Sequence, residues 1–138
     1  NIHDGVPGYK EEIGKRVDEI FNKLPTERIL ERYNWSIYDD PKLFQPVHSK
    51  PYVEFRETIP NKLFIRVERQ TIRKLPKYGS VLFTIRVHVD PIESILNDKH
   101  SLKSLKMAVE NLSGSMKEYK SINQFEKSLL DWLQDKIN

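Results

Sequence analysis

Two stretches of the chain, Leu63–Gln70 and Val81–Val89, alternate between apolar and polar residues. Successive side chains of a β-strand point to opposite faces, so a period of two predicts a strand in each stretch. The segment between them, Leu75–Ser80, contains a proline, which cannot donate to a sheet, and Gly79, which tolerates a positive φ. The pattern therefore predicts a long β-hairpin, and the remaining elements are organised around it.

The polar positions of this hairpin are its most informative feature. If the apolar residues of both strands face the same core, one sheet face carries six polar side chains: Arg66, Glu68, Gln70, Thr84, Arg86 and His88. A solvated sheet face with cross-strand Arg–Glu pairs is the ordinary explanation for such a pattern. The functional alternative is a pocket for an anionic or polar ligand, because arginine binds carboxylates with two parallel hydrogen bonds.

Before the hairpin, the pattern predicts one helix and short pieces of other structure. Lys10–Leu24 has apolar residues at helical spacing, and Pro25 ends this helix. Thr26–Tyr33 is interpreted as a short helical turn and Asn34–Tyr38 as a strand. A long loop follows, in which Tyr52–Arg56 is predicted to form a short edge strand.

After the hairpin, helical periodicity returns. Asp90 and Pro91 suit a helix start, with Asp as the cap and Pro at the first helical position. Leu102–Leu112 and Ile122–Ile137 carry apolar stripes at helical spacing, and Ser121 or Asn123 is the predicted cap of the last helix. We expect this last helix to dock on its own domain. The elements together predict an α+β fold with an antiparallel sheet.

Composition narrows the class of protein. The chain has 138 residues, 38% hydrophobic and 31% charged, which is typical of one globular domain with a proper core. No apolar run approaches the ~18 residues that a membrane span requires. Because these 138 residues contain no cysteine, disulfides, cysteine-based zinc sites and a thiolate haem ligand from this segment are excluded. The net charge of +3 is spread along the sequence, so nucleic acid is not the expected partner.

Common catalytic and nucleotide-binding motifs are absent. The sequence contains no Walker loop, no dinucleotide glycine fingerprint, no Gly-x-Ser-x-Gly elbow and no His-Glu-x-x-His. Chemistry would therefore have to come from the polar residues of the hairpin and the loops, with or without a cofactor.

Three blocks of the sequence resemble one known family. The run Arg66–Pro76, followed by Gly79 and Val81–Arg86, is similar to the signature of the haem-dependent oxidative N-demethylase alpha-subunit-like family. The segments His3–Tyr9 and Arg32–Ile37 are similar to two further blocks of that family, in the same order and at approximately the same spacing. The resemblance covers roughly Ile2 to Tyr119, with Gly5 standing where the family commonly has proline, which is typical of a distant member.

The resemblance implies both a fold and an activity. It implies a PAS-like fold that binds haem, taken as haem b, and residues 1–138 are then a single domain, the C-terminal portion of a longer PAS-like haem-binding domain. It implies oxygen-dependent removal of a methyl group from a small secondary methylamine. The electrons would come from a separate electron-transfer subunit, since nothing in this chain binds flavin or an iron–sulfur cluster.

The resemblance also directs the search for an iron ligand. Haem iron needs an axial donor, most often histidine. His48 and His100 lie in polar stretches and are interpreted as surface residues. His3 and His88 lie in blocks that match the family, so one of these two is the predicted ligand, although a solvated strand end or chain terminus explains each of them equally simply.

The remaining roles are assigned by chemistry and by the predicted polar face. Arg66 and Arg86 are candidates for the haem propionates, because guanidinium groups pair well with carboxylates. Gln70 and Thr84 complete the predicted cofactor-binding set. Glu68, with Arg86 as the second catalytic candidate, would orient an amine or relay protons.

Two other functions stay open at this point. The first is a PAS-like sensor or protein-interaction domain without catalysis, in which the terminal helix contacts a partner or a second copy of the chain. The second is a basic adaptor in a larger protein or RNA assembly. An intracellular location is expected for each of the three functions.

Overall fold

A computed structural model of the protein describes residues 14–44 and 59–138. The described elements, in chain order, are α1 (Gly14–Lys23), β1 (Ile29–Tyr38), α2 (Ile59–Lys62), β2 (Phe64–Lys74), β3 (Val81–Pro91), a 3-10 helix (Ile92–Ile95), α3 (Lys99–Glu110), α4 (Gly114–Tyr119) and α5 (Glu126–Ile137). The strands form one antiparallel sheet in the order β1-β2-β3. The α+β class predicted from the sequence is therefore confirmed.

The hairpin β2–β3 has a fixed register. The Leu75 N–H donates to the Ser80 carbonyl at 2.8 Å at the turn, and the Ile92 N–H donates to the Leu63 carbonyl at 3.0 Å at the far end. Both strands have the same number of residues between these two pairs, so the hairpin contains no net bulge. Gly79 allows the turn because its φ of 62° is in the left-handed region, which costs glycine nothing.

Contacts divide the chain into two compact units. We call them the hairpin unit, Asn1–Asn34 with Val67–His88, and the helical unit, Trp35–Arg66 with Val89–Asn138. Each of the three strands contributes residues to both units. Whether residues 1–138 form the single domain predicted above stays a prediction.

The helical unit contains the hydrophobic core. Its α5 buries Leu129, Trp132 and Leu133, as the apolar stripe predicted, and so the terminal helix docks on its own chain. The buried cluster consists of the following residues: Ile37, Ile59, Leu63, Ile92, Leu102, Val109, Ile122, Phe125, Leu129, Trp132 and Leu133. Trp35 packs against this cluster, while the Lys120 ammonium lies 5.1 Å from the centre of its ring.

The hairpin unit buries much less. Leu24 is its only buried hydrophobic residue among those that the structure describes. Helix α1 is held to β2 by Lys74, whose Nζ donates to the Asn22 carbonyl at 3.3 Å. The unit therefore depends on strand pairing and a few side-chain bonds, with little apolar burial in its described part.

One predicted element before the hairpin differs from the structure, and two others lie wholly or partly outside the described residues. Thr26–Tyr33 was predicted to be a helical turn, but β1 begins at Ile29 and pairs with β2. Strand pairing here outweighs the local preference, which is a common tertiary effect. The predicted helix Lys10–Leu24 is observed from Gly14, and its first residues lie outside the described part of the chain, as does the predicted strand Tyr52–Arg56.

The predicted caps are also corrected. Pro91, with a ψ of 143°, caps the 3-10 helix, so Asp90 is the residue before the cap. Helix α5 begins at Glu126 with Phe125 at its N-cap and no side-chain bond, so neither Ser121 nor Asn123 caps it. Ile122 and Phe125 are buried in the turn before α5, so the helix starts next to apolar burial and without a polar cap.

No helix within the described residues is long and apolar enough to cross a membrane.

Candidate functional site

The register of the hairpin decides which polar side chains share a face. Thr71 and Thr84 are bonded through their hydroxyl groups at 2.6 Å, in the same alignment as the pairs at both ends of the hairpin. Residues directly opposite each other in an antiparallel pair point to the same face. Gln70 therefore shares its face with Ile85, and Thr84 lies on the reverse face.

The single polar face predicted from the sequence is therefore wrong. Arg66, Glu68 and Gln70 follow one another along one side of β2, as predicted, but their neighbours across β3 are apolar. Thr84, Arg86 and His88 lie on the other side. We call these surfaces of the hairpin the Gln70 face and the Thr84 face.

A polar network lies on the Gln70 face of the hairpin unit. Gln70 is 6% exposed and is the one buried polar residue among those that the structure describes. The Arg32 Nε donates to the Gln70 Oε1 at 2.6 Å, and the Gln70 Nε2 donates to the Glu68 Oε2 at 3.0 Å. An amide can donate and accept at once, so Gln70 connects a cation to a carboxylate.

Apolar side chains lie across from this network. The register places Ile85 opposite Gln70, and Phe83 on the same face one pair further along. Phe83 is 36% exposed and Ile85 is 49% exposed, so both present apolar surface. The Gln70 face thus combines an accessible apolar strip with a fixed arginine and a half-buried carboxylate.

Arg66 has its own partners within the helical unit. One of its terminal nitrogens donates to the Leu43 carbonyl at 3.3 Å, and its guanidinium carbon lies 5.7 Å from the centre of the Tyr38 ring. These contacts hold the side chain half-buried. Its predicted role in binding a propionate stays a prediction.

The Thr84 face carries an exposed ion pair. The Arg69 Nε donates to the Glu31 Oε2 at 2.6 Å, and the Tyr33 hydroxyl donates to the Glu31 Oε1 at 3.0 Å. The hydrogen bond from Arg69, and then the bond from Tyr33, lower the pKa of Glu31. The carboxylate and both donors are thus satisfied within the hairpin unit.

Arg86 and His88 are less constrained. Both side chains are exposed, and neither forms a hydrogen bond or ion pair with a described residue. The register places Arg86 across from Arg69, so two like charges face each other, an arrangement that destabilises a sheet. Glu31 neutralises Arg69, whereas Arg86 forms no ion pair with an acidic side chain of residues 14–44 or 59–138.

The described residues contain no ready-made metal centre. No three or more His, Asp or Glu side chains come together in a group able to hold a metal ion in this part of the chain. His88 is exposed on β3, and His100 is exposed on α3. His3, the other predicted iron ligand, lies outside the described residues.

Sequence reasoning missed two features of the hairpin unit. One is Arg32, although it lies in a block that carries the family resemblance. The other is an open groove of about 550 Å³ between α1 and the start of β1, with cations and apolar side chains along it. Its lining residues are Arg16, Glu19, Ile20, Lys23, Leu24, Pro25, Arg28 and Leu30. None of the predicted site residues lines this groove.

A comparison with protein families identifies the chain. The model of the family "Haem-dependent oxidative N-demethylase, alpha subunit-like" matches residues 1–130. The chain belongs to this family. The match confirms the resemblance inferred from the three sequence blocks, and a family described as subunit-like agrees with the expected partner subunit.

Membership of the N-demethylase alpha-subunit-like family makes haem the cofactor against which the site should be tested. A haem site needs an apolar surface for the ring, a cation for the propionates and an axial donor. The Gln70 face has the first two, in Phe83 and Ile85 and in Arg32. No histidine of the described residues lies on this face, since the side chain of His88 is on the other side of β3. The described residues therefore fit the periphery of a haem and offer no histidine on this face as the donor.

Proposed function

We propose that this protein binds haem b on the Gln70 face and acts as the haem-binding subunit of an oxidative N-demethylase. The observation that carries the proposal is the buried Gln70, bonded to Arg32 and Glu68 beside two exposed apolar side chains of β3. Haem b is favoured over haem c because covalent attachment uses cysteine, and the chain has none.

Arg32 is the proposed partner of a propionate. Its Nε is used by Gln70, and a guanidinium has four further N–H donors. A propionate is a carboxylate, the group that arginine binds best. Gln70 fixes the direction of the guanidinium, while Phe83 and Ile85 provide apolar contact for the porphyrin.

Glu68 is the proposed substrate-binding group. A small secondary methylamine is protonated at neutral pH, and a carboxylate accepts hydrogen bonds from its N–H groups. Gln70 donates to one oxygen of Glu68 and thereby orients the carboxylate. Glu68 would hold the amine and can take up its proton before oxidation. The haem, when bound, supplies oxygen activation, and the electrons come from a partner subunit.

His3 is the residue that we propose would hold the haem iron. It lies in the sequence block that precedes α1, outside the described residues. His88 is disfavoured because the hairpin register places its side chain on the Thr84 face. The roles predicted for Thr84 and Arg86 in cofactor binding are disfavoured by the same register, and the propionate role of Arg66 is kept as a lesser proposal.

Absorbance spectra with added haemin test this proposal. We expect a Soret band that saturates at one haem per chain, is lost in His3→Ala and is retained in His88→Ala. Arg32→Ala should weaken haem binding about tenfold or more, the equivalent of one charge-assisted hydrogen bond, whereas Arg69→Ala on the other face serves as the matched control. Absence of a saturable band, or its loss in His88→Ala alone, would overturn the proposed site.

A further inference from the structure

Strand β3 has an open outer edge in the part of the chain that the structure describes. Among the described residues, β2 is its only neighbour in the sheet. The Ile92 N–H donates to the Leu63 carbonyl, and in this register the even-numbered residues of β3 direct their backbone groups towards β2. The odd-numbered residues Val81, Phe83, Ile85 and Val87 therefore direct their N–H and C=O groups away from the sheet.

This edge is unusually apolar for an exposed strand. Leu82, Phe83 and Ile85 are 47%, 36% and 49% exposed. Arg86 is the only residue of the stretch Val81–Val89 with a full charge, and the stretch has no proline. Exposed edges are normally protected by charges, proline or bulges, because open backbone groups pair readily with another strand. An edge without this protection is suited to binding an additional strand.

The charge around the edge indicates the kind of strand. Residues 69–89 contain several arginines and lysines and no aspartate or glutamate. Arg69 is neutralised by Glu31, whereas four other cations form no ion pair with any described residue. These four are Arg73, Lys74, Lys77 and Arg86. A second copy of the chain would bring two such groups of cations together, so self-pairing is disfavoured.

We propose that the outer edge of β3 binds an extended segment of a partner protein in which acidic and apolar residues alternate. Addition of a strand to a sheet edge is an established way of recognising peptides, with affinity from backbone bonds and specificity from alternate side chains. Residues of the added strand opposite Phe83 and Ile85 lie on the Gln70 face, where β3 is apolar, and should be apolar. Those opposite Thr84 and Arg86 lie on the Thr84 face, which carries Arg86, and should be acidic.

Peptide binding, measured by fluorescence anisotropy, tests the proposal. The probe is a labelled peptide in which valine and glutamate alternate over about six residues, the length of an ordinary strand. One control replaces each glutamate by lysine, and a second has the same composition with the valines and glutamates in two separate blocks. We expect the alternating acidic peptide to bind about tenfold or more tightly than either control, a difference of about 1.4 kcal/mol.

Two variants locate the binding site on the protein. Ile85→Pro removes an N–H that points away from the sheet and leaves the backbone bonds to β2 intact. Proline is tolerated at such edge positions, so the strand should persist. Peptide binding should weaken about tenfold. Arg86→Glu should shift the preference towards the lysine peptide. Circular dichroism of both variants checks that the fold is retained.

Three results would overturn the proposal. These are equal binding of the acidic and lysine peptides, an unchanged preference in Arg86→Glu, and sedimentation data that show a stable dimer abolished by Ile85→Pro. The last result would assign the edge to a second copy of the chain. Because these peptides and variants need no haem, failure of this proposal leaves the proposed haem site standing, and the converse also holds.

Discussion

The two units of this protein share the same three strands but differ in how much hydrophobic surface they bury. In the helical unit, α3 and α5 contribute to a cluster of buried hydrophobic residues with relative exposures of 3% or less. In the described part of the hairpin unit, only Leu24 joins the buried hydrophobic set, while large apolar side chains such as Leu82 and Ile85 remain accessible. One half of each strand thus lies in the unit with the hydrophobic core, and the other half lies in the unit that leaves apolar side chains exposed.

This difference separates stability from recognition. Burial of apolar area is the main favourable term in folding, so the helical unit should hold most of the unfolding free energy. Regions with few buried apolar contacts open locally at lower free energy, and binding surfaces are often found in such regions. Both proposals made above, the haem face and the open edge, accordingly concern the hairpin unit.

The largest expected effect comes from the same substitution made in both units. Leu133→Ala in the helical unit should lower the free energy of unfolding by about 2–5 kcal/mol, because Leu133 is fully buried and a cavity remains. Leu82→Ala in the hairpin unit should change it by less than about 0.5 kcal/mol, because Leu82 is 47% exposed. Urea denaturation measures both. Similar losses in the two variants would remove the distinction between the units.

A smaller effect is expected at the buried amide of the hairpin unit. Gln70→Leu should cost about 1–3 kcal/mol, because Arg32 loses an acceptor and Glu68 loses a donor. Thr71→Val is the control, since it removes an exposed hydroxyl pair on the other face and should cost about 0.5 kcal/mol or less. Urea denaturation of the two variants gives the comparison, and a Gln70→Leu protein as stable as the wild type would show that the network contributes nothing to stability.

The smallest effect is a pH dependence in the helical unit. Asp98 caps α3, accepting from the Ser101 hydroxyl at 2.6 Å and from the His100 N–H at 2.9 Å. The Ser101 hydroxyl, with backbone N–H donors, lowers the pKa of Asp98 from its usual value of 3.8. A lowered pKa stabilises the fold at pH values above 3.8, and this contribution is lost as the pH falls through the lowered pKa.

Thermal denaturation from about pH 5 to pH 2 should reveal this contribution as a steeper loss of Tm in the wild type than in Asp98→Asn. Asparagine can still cap the helix but does not titrate. Asp98→Ala should lower Tm at pH 7 as well, because the cap itself is lost. Parallel Tm curves for the wild type and Asp98→Asn would contradict the assignment.

Much of the fold could be predicted from the sequence. The hairpin, its turn at Gly79 and the buried stripe of the last helix follow from periodicity and local chemistry, which need no tertiary information. Ile29–Tyr33 could not be assigned in this way, because its strand conformation depends on pairing with β2, far along the chain. The start of α5 at Glu126 depends similarly on the burial of Ile122 and Phe125.

The candidate site was harder to predict for a specific reason. Alternation identifies the two faces of each strand, but it does not show which face of β2 joins which face of β3. The apolar sets of the two strands do not coincide, because the turn brings Thr71 opposite Thr84 and separates Gln70 from Arg86. Arg32 was missed because its role depends on the pairing of β1 with β2.

The turn from Leu75 to Ser80 also has an evolutionary consequence. Because strand side chains repeat every two residues, inserting or deleting one residue in this turn would exchange the faces of β3 relative to β2. Arg86 and His88 would then lie beside Glu68 and Gln70, and the apolar strip of Phe83 and Ile85 would move to the reverse side. A single codon gained or lost in this turn would thus change which side chains of β3 face Glu68 and Gln70.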